Sequence, residues 1–143
     1  MTVTAARAYR TIGRSTRGGA GSVTARRRSI DFDASAGQSD ILPGPSDLLS
    51  AAVAACVLKN VERFSHLLPF RYEDATVEVT AERQDSPPRM AAIHYVLHVT
   101  TDEPPRRVEL LHVNIRRHST VLNTLGGVCE VTGDIVADAP AAM

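Results

Sequence analysis

The sequence predicts an α+β fold in a single domain, and three observations carry that prediction. Segments of alternating polarity fall at the start, middle and end of the chain, and do not alternate one by one with helices. Two stretches between them space their apolar residues as helices do. A chain of 143 residues, 43% of them hydrophobic, can enclose one sizeable core, so residues 1–143 read as one domain.

The elements follow in order. Residues 7–33 read as short strands. Ala8, Tyr9 and Ile12 precede a turn at Gly18-Gly19, and Val23, Ile30 and Phe32 follow in rough alternation. Residues 34–44 form a polar loop punctuated by Pro43. A helix should begin near Gly44-Pro45, because proline is preorganised for the first helical position and Asp47 complements the positive end of the helix dipole. It should run to about His66, before Pro69. Leu49, Ala52, Val53 and Cys56 are spaced i, i+3, i+4 and i+7, which puts Cys56 on the expected buried stripe. Residues 75–83 alternate around Val77 and Val79. After Ser86-Pro87-Pro88, the residues Ile93, Tyr95, Leu97 and Val99 alternate with His94, Val96, His98 and Thr100, so the two segments should pair as an antiparallel hairpin. A second helix should open at Asp102–Pro105 and continue to about Leu122 or a little short of it, with Leu111, Ile115, Ser119 and Leu122 on one face. Gly126-Gly127 ends it. A last strand then carries Cys129, Val131 and Ile135 on its inward side.

Charge excludes some functions and limits others. The 16 basic and 16 acidic residues balance, but residues 1–30 hold seven arginines and no acid. An acid-free, Arg-rich start can mimic a transit peptide; Gly13, Gly18, Gly19 and Gly21 would break the amphipathic helix such a peptide needs, and a basic edge hairpin fits better. The longest unbroken apolar run, Ala51–Leu58, is far short of the ~20 residues of a membrane span, so a soluble, cytoplasmic protein without a membrane partner is expected. Few aromatics and no tryptophan argue against a nucleic-acid surface, leaving only the N-terminal arginines for it. Two cysteines in neither a CxxC nor a Cys/His spacing point to no disulfide framework, no metal and no other cofactor.

Three stretches together resemble the OsmC/Ohr superfamily. Gly44-Pro45-Ser46-Asp47-Leu48-Leu49, followed by Ala51–Cys56, resembles its Pro-x-Glu-Leu-Leu helix leading to an alanine-flanked cysteine. Asn123-Thr124-Leu125 resembles the end of its Cys-Pro-Val-x-Asn-Thr-Leu motif. Arg17-Gly18-Gly19-Ala20-Gly21-Ser22-Val23 resembles its Arg-Gly-x-Gly-Thr-Val turn with one extra residue. The resemblance implies an OsmC-like fold of antiparallel sheets wrapped around two main helices in an intertwined homodimer. It also implies a site at the subunit interface, where a thiolate attacks a hydroperoxide. Cys56 then stands in the catalytic position and Arg17 in that of the activating arginine, with Arg14 as the second choice.

The residues qualify that implication. A free thiol of pKa about 8.5 is only a few per cent ionised at neutral pH. Cys56 lies eleven residues after Pro45, roughly 16 Å along the helix at about 1.5 Å per residue. The helix dipole fades within one turn, so a reactive Cys56 needs a cation from elsewhere in the fold. Ser119 stands where the family's resolving cysteine would be, with Thr120 in place of the following proline. Ser46 replaces the arginine-holding glutamate, and Asp47 lies one position on. A serine forms no disulfide, so a peroxidase cycle here would use one cysteine and an external thiol reductant. Cys129 could act as a substitute resolver, although its inward position suits core filler better. By pattern alone Cys56 also fits an inert core residue. A non-catalytic member binding an apolar small molecule in the interfacial pocket is the alternative. His94 and His98 share the more polar strand face and read as solvated residues, not as a metal pair. His118 beside Ser119 is no hydrolase pair, since neighbours on a helix do not face each other, but it could line a pocket.

Overall fold

A computed structural model describes residues 7–141. Within the span read as one domain, contacts gather into two compact units, one ending at Leu48 and one beginning at Leu49. The α+β class stands, with strands first, a helix, a hairpin, helices and a last strand.

The first unit is an antiparallel meander of β1 (Thr11–Ser15), β2 (Ala20–Ala25) and β3 (Arg28–Asp33). The expected glycine turn joins β1 to β2. Gly18 and Gly19 have φ of +104° and +100°, and a Cβ on Gly19 would come within 2.5 Å of Ser35, so only glycine fits there. Val23 pairs with Ile30 and Gly21 with Phe32, which places Val23, Ile30 and Phe32 on one face. No side chain of residues 7–48 is buried. The loop that follows is held by Asp33, whose carboxylate accepts from Ser35 N–H, Ser35 Oγ and Ser39 N–H.

Helix α1 (Pro45–Leu67) begins and ends close to where the sequence places it. Gly44 donates its N–H to Asp47 Oδ2 at 2.9 Å, the backward half of a capping box. The buried side differs from the expectation. It runs through Val53, Val57, Asn60, Val61 and Phe64, while Ala52 is exposed and Leu49 and Cys56 are half-buried. At about 100° per residue, Cys56 lies roughly 80° from the centre of that line and Ala52 about 120°. Valine and phenylalanine bury more area than alanine, so their line faces the core and Cys56 sits at its margin.

The second unit holds a sheet in the order β4-β5-β6, formed by Asp74–Asp85, Pro88–Thr100 and Glu130–Asp138. The expected hairpin is present, with Val77 opposite Leu97 and Val79 opposite Tyr95. β6 runs parallel to β5, so the sheet is not antiparallel throughout. A parallel neighbour needs a crossover, and α2 (Pro105–His118) and α3 (Thr120–Gly126) supply it.

The second helix therefore stops short of Leu122. Ser119 adopts φ −80°, ψ 110°, and both its N–H and its Oγ donate to the Ile115 carbonyl, a local bond that competes with the helical ladder. Leu111, Ile115, Ser119 and Leu122 are nevertheless all buried, as expected. With the α1 line, Phe70, Val108 and the Ile93–Tyr95–Leu97–Val99 face of β5, the three apolar residues of that set make the core. No helix among the described residues is long and apolar enough to cross a membrane.

Candidate functional site

Cys56 is a free thiol, half-buried on α1 one turn before Asn60. The Asn60 side-chain amide donates to the Cys56 carbonyl at 2.8 Å and lies 3.7 Å from its sulfur. Asparagine disfavours a helix interior, and this one is buried among valines. Sequence reasoning passed over it. The available signal was a lone amide four residues after the cysteine, on an otherwise apolar line.

The other expected residues are placed as follows. Arg17 is exposed on the β1–β2 turn and Arg14 is exposed on β1 opposite Ser22, both in the first unit. Neither makes an ion pair among the described residues. Asp47 serves the helix start through Gly44. Ser119 is wholly buried with its hydroxyl committed to Ile115. Cys129 is half-buried against the core, its thiol directed to the Leu125 carbonyl at 3.4 Å. His118 is exposed with its ring 5.4 Å from that of Phe64, and it lines neither the cleft at Arg71–Glu73 nor the cleft beside Arg116 and Val131. On the outer sheet face His94 meets Thr132 at 2.7 Å and Asp134 at 3.3 Å, while His98 meets Asp138 at 3.4 Å. The described residues bring no three His, Cys, Asp or Glu side chains together around a metal position.

A second polar feature lies inside the core. The buried Tyr95 hydroxyl and His112 Nε2 are 2.7 Å apart, with their rings edge to face. Burial holds His112 below its ordinary pKa, aided by Arg116, and pushes Tyr95 up to about 12. Tyr95 fits because its β6 partner is Gly133; a Cβ there would lie 2.0 Å from the ring. The depressed His112 makes folding pH-dependent. The unfolded histidine takes up a proton below about pH 6.5 while the folded one resists it. Stability is therefore complete above that pH and falls as the pH drops toward the folded pKa, by at most about 1.4 kcal/mol per pH unit from this group. Unfolding midpoints of wild type and His112→Gln between neutral pH and pH ~5 should show the slope in the former and a flatter profile in the latter.

Two clefts open on the second unit. One lies among Arg71, Tyr72, Glu73, Thr100, Thr101, Asp102 and Pro140. The other, of about 370 Å³, lies among Tyr95, Arg116, Leu122, Asn123, Val131, Thr132 and Gly133. Neither includes Cys56.

Comparison with known proteins places this geometry. Residues 37–133 match the family described as OsmC-like protein. No curated protein matches the chain. Among solved structures, an OsmC-like protein from Mycoplasma pneumoniae superposes with a TM-score of 0.83 at 15% identity, over 96% of this chain and 100% of that one. An organic hydroperoxide resistance protein OsmC from Legionella pneumophila gives 0.70 at 17%, over 89% and 96%. The organic hydroperoxide resistance protein OhrB of Bacillus subtilis gives 0.66 at 18%, over 92% and 100%. At these identities the likeness is one of fold.

Proposed function

Because this chain belongs to the OsmC-like protein family, we propose that it is a cytoplasmic homodimer that reduces organic hydroperoxides through a single peroxidatic thiol, Cys56. The observation that supports this most is the state of Cys56. It is an unpaired thiol inside the matched segment, half-buried on the margin of its helix's buried line. Two of the similar structures carry hydroperoxide resistance in their names.

In the proposed cycle the Cys56 thiolate attacks the outer peroxide oxygen. The O–O bond breaks, the cysteine becomes a sulfenic acid, and the alkoxide leaves and takes a proton to give the alcohol. Two equivalents of an external thiol then return the cysteine, releasing a disulfide and water. Ser119 cannot take the resolving role, since it has no thiol and its hydroxyl is bound to Ile115. Arg17, brought by the homodimeric assembly, would stabilise the thiolate and the developing alkoxide charge. No cofactor enters the cycle. The first unit supports the dimer: the apolar face of Val23, Ile30 and Phe32 belongs to a sheet with no buried side chain, and such a face requires cover.

The test is consumption of cumene hydroperoxide in the presence of a dithiol, with sedimentation equilibrium reading the assembly. Cys56→Ser should fall to the uncatalysed background and Cys129→Ser should keep its rate. Arg17→Ala should lose on the order of 10²-fold. Full activity in Cys56→Ser would sink the mechanism. The committed Ser119 hydroxyl favours a second reading, a non-catalytic member that binds an apolar small molecule. A wild type no faster than Cys56→Ser would select it.

A further inference from the structure

The cleft of about 370 Å³ beside α2 and β6 contains no cysteine and has no part in the cycle above. We propose that it is a binding site for a small monocarboxylate with a short apolar body. β6 is the edge strand of its sheet, so one side of Val131-Thr132-Gly133 presents main-chain groups that no strand of that sheet pairs. Such N–H groups are donors suited to a carboxylate.

Arg116, from the last turn of α2, supplies the charge. Its one carboxylate partner among the described residues is Glu109, 3.8 Å away and too far to form a hydrogen bond, so the guanidinium fork remains available. Asp134, next along β6, is occupied by His94 at 3.3 Å. Val131 gives the cleft a partly exposed apolar side chain, with the buried Leu122 and Tyr95 packed behind it, which suits a short apolar body on the acid. The Asn123 amide bonds the Arg117 carbonyl at 3.0 Å, fixing one wall.

The test uses the full chain and chemical-shift titrations with benzoate and hexanoate, and with benzamide and hexanamide as neutral counterparts. The acids should shift the amides of Val131, Thr132 and Gly133 saturably, and the neutral counterparts should bind about ten-fold more weakly or worse. Arg116→Gln, an exposed substitution, should weaken the acids by a similar factor, while Arg117→Gln should leave them unchanged. Cys56→Ser should bind as wild type does, which separates this site from the peroxidatic one. Absence of saturable shifts, equal binding of acid and amide, or an Arg116→Gln protein that binds normally would each overturn the proposal.

Discussion

Alanine at Gly133 should destabilise the protein by about 3 kcal/mol, the upper end of ordinary over-packing. The added Cβ would stand 2.0, 2.1 and 2.4 Å from three ring atoms of Tyr95. The ring cannot easily retreat. Tyr95 is 1% exposed, and its hydroxyl is tied to His112, which is itself buried. Displacing it would leave two buried polar groups unpaired in addition to the steric cost. Urea unfolding of Gly133→Ala, Tyr95→Leu and the double variant closes the test. If the ring is the obstacle, the double variant is more stable than the sum of the two losses predicts, with a coupling of about 1 kcal/mol or more. A strictly additive cycle would mean that strand β6 yields instead.

Leu97→Ala should cost about 2–5 kcal/mol, the range for emptying a closed core position. Leu97 is fully enclosed on the central strand, opposite Val77 on β4 and Ile135 on β6. Its neighbours on both sides are fixed by hydrogen-bonded strands, so the cavity can collapse little. The same denaturant titration reads the loss. An effect well below this range would show that the helices settle into the space.

The phase of the strands was legible in the sequence, whereas the facing of α1 and the direction of β6 were not. The Ile93–Val99 alternation and the α1 boundaries at Pro45 and before Pro69 rest on local chemistry, and they appear where expected. The break at Ser119 left no trace in the pattern, because Leu111, Ile115 and Leu122 stay buried on either side of it. The parallel pairing of β6 depends on what lies between the strands, not on the strands themselves. For the candidate site, the cysteine and its helix could be read, but its exact facing could not. Counting Ala52 equal to Val53 shifted the expected stripe toward Cys56. The Asn60 contact and the fit of Tyr95 over Gly133 are side-chain meetings that one strand or helix alone does not display. A cation partner for Cys56 is equally non-local, so a motif can name an arginine for it where helix and strand patterns cannot.

The unburied N-terminal meander has a consequence for hydrogen exchange. Its amides are bonded within the sheet, but no packed side chain resists local opening, so in an isolated chain they should exchange through frequent small fluctuations. The β5 amides lie over the enclosed core and should exchange only when the whole second unit unfolds. Protection at Val23, Ile30 and Phe32 thus becomes a gauge of association. Slow exchange there that fades on dilution would report a second subunit covering that face.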